Sequence, residues 1–351
     1  MQERSFCNNV SEAAGIDIHY GILCVMIGCI FLLNSAVGAP RLCASDAAAI
    51  RDSSIAPDGR EGNTASAGYK VIVRYEDGFL AAGTDGRIDK ISVSGKIVES
   101  QTIPGENFTC LICDNQTAIV AGEHGAILVS SEKGKFRKIE SGTDHTINSL
   151  TVFKGMIIAG ADAGEILTDN GTRSFNRLNV AVRGNIVSLS SRNGDCYGAT
   201  DEGEIIHTTD GMHWEIFDFN KVYAGYYKPC HFTRILAADM QIAVAGVAND
   251  GAPMFMFSNQ GSVWSERVLN YTDEDGAQGV LTDRPNDIMY DASRDLFYLA
   301  CNNGNVIEIP SCSHCNKLAH FTAEHLTGIL DLHNTMMLVG AKFFIRAINL
   351  E

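Results

Sequence analysis

From residue 68 onward, short apolar runs alternate with polar turns along the chain. The runs are rich in Val, Ile, Leu and Phe, and the turns are rich in Gly, Asp and Asn. Runs of about four to eight such residues with a period of two are typical of β-strands, and the same stretch lacks helical periodicity. The pattern predicts an all-β chain.

The same unit of strands and turns recurs at intervals that are mostly about 39 residues, with longer gaps before the fifth and sixth anchors. In each unit an apolar run ends in a small residue, and these anchors are Gly83, Gly122, Gly160, Ala199, Gly246, Cys301 and Gly340. A period near 40 with four short strands per unit is typical of a β-propeller. We therefore predict seven four-stranded blades over residues 68–351, with a pair of β-sandwiches as the alternative. The last unit has room for three strands, so a segment near Ile50–Ile55 is expected to supply a closing strand.

The first 67 residues follow a different pattern. Gly21 to Ala39 carries no charge, which predicts that residues 1–39 are a signal peptide or a membrane anchor. The preceding segment lacks a basic region and Pro40 follows the expected cleavage point, and both features are atypical of a signal peptide. Residues 40–67 read as a polar linker. We expect a secreted or membrane-anchored, extracytoplasmic protein that meets the membrane only through its N-terminal segment.

Charge and cysteine content narrow the function classes. The net charge of −15 disfavours nucleic acid as a partner, because phosphate backbones would be repelled. Eight of the eleven cysteines follow residue 40, which leaves both disulfides and free thiols open. Cys312 and Cys315 form a C-x-x-C pair, and so do Cys110 and Cys113, but a zinc site would need both pairs close together. We expect no metal and no cofactor.

A second motif lies in the turn that follows the third strand of several units. Its best copies are Thr208, Asp210, Gly211 and Trp214, and Ser258, Gly261 and Trp264. The motif resembles the BNR/Asp-box repeats of sialidase-type propellers, and it is most similar to the photosystem II assembly factor (Ycf48-like) group. In those families the box stabilises a hairpin away from the active face, so the resemblance implies a structural role for these residues.

Candidate binding residues come from the start of each innermost strand. Counting back from the anchors reaches Gly68, Asn107, His145, Gly184, His231, Asn286 and His325. Three histidines at one equivalent position suggest a metal site or a general base. The alternative is that Asn, His and Gly bond loop backbone at these strand starts.

Two insertions offer further candidates. Tyr223, Tyr226 and Tyr227 lie in a loop before the fifth unit, where they could bind a sugar or a peptide or could fold against the rim. Asp273, Glu274 and Asp275 lie in a loop before the sixth unit, and we expect a solvated loop because EF-hand spacing is absent.

These residues leave three functions open. The first is a monomeric, non-catalytic scaffold that binds protein or glycan at the propeller rim. The second is a sialidase-type hydrolase, which would need Arg74, Arg183, Arg234 and Arg284 to converge near Tyr290. The third is a metal-dependent enzyme that uses the rim histidines. We expect the scaffold, because the chain carries no complete catalytic motif.

Overall fold

The computed structural model describes residues 67–350, apart from 132–133, 170, 172–173, 240, 311–313, 322–323 and 333. The predicted N-terminal segment, the polar linker up to residue 66 and the closing strand near Ile50–Ile55 lie outside the described residues. In the described part of the chain, no helix is long and apolar enough to cross a membrane.

Each of the first four repeats forms one antiparallel sheet whose strands follow chain order. Blade 1 contains β1 (Tyr69–Tyr75), β2 (Gly78–Gly83), β3 (Arg87–Ile91) and β4 (Ile97–Thr102). Blade 2 contains β5 (Phe108–Asp114), β6 (Thr117–Gly122), β7 (Ile127–Ser130) and β8 (Phe136–Ile139). Blade 3 contains β9 (Ile147–Phe153), β10 (Met156–Ala161), β11 (Glu165–Asp169) and β12 (Phe175–Asn179). Blade 4 contains β13 (Ile186–Arg192), β14 (Asp195–Thr200), β15 (Glu204–Thr208) and β16 (Glu215–Asp218).

The later repeats carry the insertions. The helix α1 (Phe219–Val222) leads to blade 5, which contains β17 (Cys230–Ala237), β18 (Ile242–Ala248), β19 (Pro253–Ser258) and β20 (Ser265–Glu266). A hairpin of β21 (Asn270–Thr272) and β22 (Gln278–Val280) follows. Blade 6 contains β23 (Pro285–Asp291), β24 (Leu296–Cys301), β25 (Asn305–Pro310) and β26 (Cys315–His320). Blade 7 has three described strands, β27 (Leu326–Leu332), β28 (Thr335–Gly340) and β29 (Phe344–Asn349).

The predicted seven-bladed propeller is confirmed. The innermost strand of every blade contacts the innermost strand of the next, and β1 contacts β27, so the ring is closed. Each innermost strand buries an Ile or Leu, at its fourth position in six blades and at its sixth in β17. These residues are Ile72, Leu111, Leu150, Leu189, Ile235, Ile288 and Ile329. Burying each such side chain contributes roughly 1.5–3 kcal/mol, and the resulting apolar clusters span neighbouring blades.

Every innermost strand also contains a register shift, which follows the first paired residue in six blades and the third, Phe232, in blade 5. A bulge of this kind turns one side chain away from its normal direction in the sheet. The hairpin β21–β22 differs from the other turns because β21 pairs parallel to β26 and widens blade 6 to six strands.

Candidate functional site

Strand pairing defines one equivalent position at the start of each blade, here called the rim residue. It directly precedes the innermost-strand residue that is paired just before the register shift. The rim residues are Gly68, Asn107, Thr146, Asn185, His231, Arg284 and His325. In six blades the rim carbonyl accepts a hydrogen bond from the turn that follows the second strand, which fixes the position independently.

The sequence-based alignment was one or two residues off in three blades. Ile147 pairs with Ala161, so the rim residue of blade 3 is Thr146 and not His145. Similarly, the rim residue of blade 4 is Asn185 and not Gly184, and the rim residue of blade 6 is Arg284 and not Asn286. Two histidines and one arginine therefore occupy this position, instead of the three histidines expected.

Most rim side chains bond the turn of the preceding blade. Asn107 Oδ1 accepts from the Asp85 N–H at 3.0 Å, and Asn185 Oδ1 accepts from the Ala163 N–H at 2.9 Å.

The two rim histidines join the same set of bonds. His325 Nδ1 accepts from the Asn303 N–H at 3.4 Å, and His231 Nδ1 lies 2.6 Å from the Asp201 carbonyl oxygen. These contacts agree with the structural alternative for the rim histidines.

His145 lies apart from the other two histidines. Its Nδ1 is 3.3 Å from Glu165 Oε1, and Arg177 Nη1 is 3.0 Å from the same oxygen. No group of three potential metal ligands occurs among the described residues. The three histidines are thus committed to contacts in different blades and do not form one site.

A second ring of bonds comes from the bulged residue of each innermost strand, two positions after the rim residue. Its hydroxyl or amide donates to the first paired carbonyl of the next blade in five cases. The donors are Thr109, Asn148, Thr233, Asn286 and Thr327. Thr327 bonds the Tyr69 carbonyl at 2.7 Å, so the ring closes with the same contact that joins the other blades.

Two cationic side chains occupy positions in these rings without making the hydrogen bond that most other blades make there. Arg284 occupies the rim position of blade 6, and Lys70 is the bulged residue of blade 1. Neither side chain forms a hydrogen bond or an ion pair within the described part of the chain. Desolvation by the surrounding protein lowers the pKa of Arg284, and burial lowers the pKa of Lys70, which Glu123 partly opposes.

The middle of the channel contains a paired charge. Arg234 Nε lies 2.7 Å from Asp287 Oδ1, and the Ile329 N–H donates to Asp287 Oδ2 at 3.0 Å. Burial raises the pKa of Asp287, which Arg234 opposes. Burial also raises the pKa of the Cys110 thiol to about 12, with Arg234 again acting in the opposite direction. The charge of Arg234 is therefore compensated by a buried carboxylate.

The remaining arginines of the sialidase hypothesis are held in separate ion pairs. Arg74 Nη2 lies 2.7 Å from Asp331 Oδ1. Arg183 contacts both Glu204 and Asp218, at 2.8 and 2.7 Å.

Tyr290, the candidate nucleophile of that hypothesis, is also engaged. Its hydroxyl donates to Asp295 Oδ1 at 2.7 Å, and this bond is the main cause that raises its pKa to about 12. Arg74, Arg183 and Arg234 have different carboxylate partners, so the described residues form no shared carboxylate-binding cluster beside Tyr290.

The Asp-box-like turn of blade 4 is held by its own side chains. Thr208 Oγ1 accepts from the Gly211 N–H at 2.9 Å, and Asp210 Oδ1 accepts from the Met212 and His213 N–H groups at 2.8 Å.

The turn of blade 5 uses the same arrangement. Ser258 Oγ accepts from the Gly261 N–H at 2.8 Å, and Trp264 Nε1 donates to the Gly261 carbonyl at 3.0 Å. Trp264 is buried and Trp214 is half-buried, so both indoles pack against the blades.

The tyrosine loop separates into anchors and one exposed ring. Tyr223 and Tyr227 pack on Phe219, with ring centroids 4.8 and 5.9 Å away. The Tyr223 hydroxyl also accepts a hydrogen bond from the backbone N–H of Trp264 at 2.8 Å. Tyr226 is 84% exposed and Val222 is 55% exposed. The loop therefore folds against blades 4 and 5 and presents Tyr226 to solvent.

The acidic insertion forms the hairpin β21–β22. Asp273 accepts from the Ala277 N–H at 2.8 Å and lies 3.9 Å from Lys317 Nζ, so this carboxylate stabilises the turn. The described cysteines 110, 113, 196, 230, 301 and 315 are all free thiols. Cys312, the partner of Cys315 in the C-x-x-C pair, lies outside the described residues.

The fold and the rim together define a β-propeller whose blades are joined by repeated side-chain to backbone bonds. No known family profile matches the sequence, and no curated protein matches it. The Asp-box and Ycf48-like resemblance therefore stays a prediction based on the turns.

Solved structures share the fold. The WD40 β-propeller domain of Doa1 superposes with a TM-score of 0.62 at 11% identity, over 81% of this chain and 93% of that chain. U3-55K superposes with a TM-score of 0.64 at 12% identity, over 81% and 96%. The extracellular domain of a protein described as a hybrid two component system from B. thetaiotaomicron gives 0.61 at 10% identity, over 81% of this chain and 38% of that chain. At these identities the likeness shows the fold alone.

Proposed function

We propose that this protein is a non-catalytic propeller scaffold that binds a protein partner through the loops on the rim face. The observation that supports this function most directly is the insertion between blades 4 and 5. Its inner tyrosines anchor the loop, while Tyr226 and Val222 stay exposed. Tyrosine is enriched at protein-binding hot spots, because its ring offers a large apolar contact area and its hydroxyl a hydrogen bond.

The rim geometry supports a scaffold over an enzyme. The candidate histidines bond backbone or a neighbouring carboxylate, and three of the four candidate arginines form ion pairs. A hydrolase would need several of these groups free and aimed at one substrate. Glycan is the alternative ligand, because an exposed tyrosine also stacks on sugars.

We also propose that the chain is exported or membrane-tethered. The uncharged run from Gly21 to Ala39 supports this location, and cell fractionation of the full-length chain tests it. A propeller outside the cytoplasm would meet other exported proteins or cell-surface glycans.

Site-specific photo-cross-linking tests the proposed function. A photo-reactive side chain replaces Tyr226 in one full-length variant and Val280 in a control, which is 64% exposed on the hairpin β21–β22. We expect a discrete partner to be cross-linked from position 226 and not from position 280. The same partner should be lost from the Tyr226 variant when Val222→Ser is added, because both side chains would contact it.

The alternatives give different results. Identical cross-linked proteins from both positions would contradict a binding surface at Tyr226. Binding of the full-length protein to a glycan array that is abolished by Tyr226→Ala would favour the glycan alternative. Tyr227→Ala is a poor probe because Tyr227 packs on Phe219.

A further inference from the structure

A cleft of about 190 Å³ lies between blades 1 and 2. Its apolar lining consists of the buried residues Leu80, Ile88 and Ala118 and of two half-buried rings, Tyr75 and Phe136. Sites for drug-sized molecules have volumes of roughly 300–1,000 Å³. This cleft is smaller, so it has room for one long side chain and not for a ligand of that size.

One hydrogen bond joins the two blades across the cleft. Gln101 Nε2 on the outer strand β4 donates to the carbonyl of Gly134, in the turn between β7 and β8, at 2.9 Å. Both residues line the cleft. The bond fixes the outer part of blade 1 against the outer part of blade 2, so the width of the cleft is set by the fold.

Three charged side chains line the cleft, and two of them neutralise each other. Lys90 Nζ forms an ion pair with Glu76 and lies 5.7 Å from the centroid of the Tyr75 ring. Glu99 forms no ion pair with any of the described residues. Its carboxylate accepts a long hydrogen bond of 3.4 Å from Gln101. Two carboxylates against one ammonium group therefore leave one negative charge uncompensated in the cleft.

The carboxylates lie close to the aromatic part of the cleft. Burial raises the pKa of the Tyr75 hydroxyl, the charges of Glu76 and Glu99 raise it further, and the charge of Lys90 opposes them. An uncompensated carboxylate thus shares one cleft with aromatic rings and aliphatic side chains, and this combination suits a cation with an apolar stem.

Strand β4 borders the cleft and has a free edge. It is the outermost strand of blade 1, and five of its six residues are exposed. Ile97 and Val98, which directly precede Glu99, are 43% and 60% exposed. A strand edge with exposed apolar side chains can pair with an extended segment of another chain. The surroundings of Glu99 therefore fit a peptide better than a free small cation.

We infer that the cleft between blades 1 and 2 binds an arginine side chain of a protein partner, whose extended segment lies along the free edge of β4. The guanidinium pairs with Glu99, and its plane matches both a carboxylate and an aromatic ring such as Phe136. The aliphatic part of the arginine contacts Leu80 and Ile88. A lysine would bring the same charge without the planar group.

Fluorescence anisotropy with the full-length protein at low ionic strength tests the site. The probe is a capped pentapeptide with a central arginine, two flanking valines and two outer threonines, labelled with an uncharged fluorophore. In the first control peptide citrulline replaces arginine, which keeps the shape and removes the charge, and in the second lysine replaces it. The protein variants are Glu99→Gln and Phe136→Leu. Glu266→Gln is the matched control, because Glu266 is exposed on the outer strand β20 of blade 5.

We expect Glu99→Gln to weaken binding of the arginine peptide roughly tenfold, since a hydrogen-bonded charge pair is lost. Phe136→Leu should weaken it about threefold through the loss of the aromatic ring. Glu266→Gln should leave it unchanged, and the citrulline peptide should bind weakly to every variant. Glu99 is exposed, so Glu99→Gln should melt at the same temperature as the wild type.

Several results would overturn the inference. The arginine peptide could fail to bind, or the citrulline peptide could bind as tightly. Equal losses from Glu99→Gln and Glu266→Gln would indicate a general charge effect, and equal binding of the lysine peptide would contradict the assignment to arginine. The surface at Tyr226 belongs to blades 4 and 5, so cross-linking from position 226 and peptide binding at Glu99 can succeed or fail independently.

Discussion

At the rim position, the chemistry of one side chain decides whether it joins the ring or stays free. Asn and His contain an acceptor, and Asn107, Asn185 and His325 use it to bind the N–H of the preceding turn. The turn residues that donate have positive φ, which aims their N–H groups outward from the turn. Arg284 lacks an acceptor, and its side chain makes no such bond among the described residues.

The anchor glycines are required where two segments of backbone approach closely. A Cβ on Gly122 would lie 1.9 Å from the Asn107 carbonyl oxygen. Blade 3 has Ala161 at the same position with φ of −130°, against −174° for Gly122, so its backbone leaves space for the methyl group.

We predict that Gly122→Ala destabilises the protein by about 1–3 kcal/mol, because backbone must shift to admit the methyl group. Ala161→Gly is the matched control, and it should cost no more than about 1 kcal/mol of backbone entropy. Urea unfolding of both variants gives the comparison. An equal loss in the two variants would contradict the steric explanation.

The sequence predicted the rim less accurately than the fold, and the reason is local. The turn glycines Gly86, Gly125, Gly164 and Gly203 recur at a constant spacing of 39 residues. The Ala-Gly pairs used as anchors do not, because Gly160 lies one residue before the true end of β10. Alignment on the turn glycines would have placed Thr146 and Asn185 at the rim.

At the scale of single elements, the Asp-box-like turns illustrate what a short motif can specify. Thr208 and Asp210 satisfy successive N–H groups of a tight turn, and Gly211 adopts φ of +79°. These roles follow from residue chemistry alone, so the sequence predicts them well.

Acid sensitivity should reveal the contribution of this turn. A hydrogen bond from the His213 side chain, together with backbone N–H groups, holds the pKa of Asp210 well below its usual range. A lowered pKa in the folded state means that the stabilisation is present above the unfolded value of about 3.9 and is lost as the pH falls below it.

We therefore predict that Asp210→Asn lowers the stability at pH 7 and that the difference from the wild type shrinks between pH 4 and pH 3. Urea unfolding at several pH values measures this, with Asp77→Asn in the exposed β1–β2 turn as the control. A stability difference between the two proteins that stays constant with pH would show that the ionised carboxylate of Asp210 is not the source of the stabilisation.

Insertions are the elements that pattern analysis could not place. The tyrosines at 223, 226 and 227 look alike in sequence, yet only Tyr226 is strongly exposed. Which of these tyrosines is exposed depends on tertiary contacts with Phe219 and Trp264. The pairing of β21 with β26 is parallel and joins residues far apart in the chain, so no short stretch of sequence predicts it.

At the scale of the whole molecule, the junction where the ring closes is well supported. Arg74 pairs with Asp331, and Thr327 bonds the Tyr69 carbonyl. Phe343 packs edge-on against Tyr69 at 5.2 Å, and the Arg87 guanidinium lies 4.4 Å from the Phe343 ring centroid. Blade 7 is thus joined to blade 1 by contacts of its innermost strand β27 and of the turn that precedes β29.

The interface between blades 1 and 2 has fewer side-chain contacts than the junction between blades 7 and 1. Lys70 and Val187 are the two bulged residues without a bond to the next blade among the described residues. At Val187 the neighbouring Ser188 donates to the Ile235 carbonyl at 3.3 Å, which partly replaces the missing bond. At Lys70 the remaining ties are the rim bond of Asn107 and a bond from Gln101 to the Gly134 carbonyl.

We predict that Lys70→Thr raises the free energy of unfolding by about 1 kcal/mol, the typical net value of one new hydrogen bond, here to the Phe108 carbonyl. Hydrogen exchange should slow in β1 and β5. Val187→Thr is the control and should give a smaller change, since Ser188 already spans that interface. A larger gain from Val187→Thr would contradict the assignment of the weak interface.

The gap at Lys70 has a mechanical consequence. The joint between blades 1 and 2 lies one blade away from the seam where the chain closes, and it lacks the bulged-residue bond that the seam has in Thr327. A ring that is pulled apart would therefore open more readily between blades 1 and 2 than at the seam, although the two ends of the ring meet only at the seam.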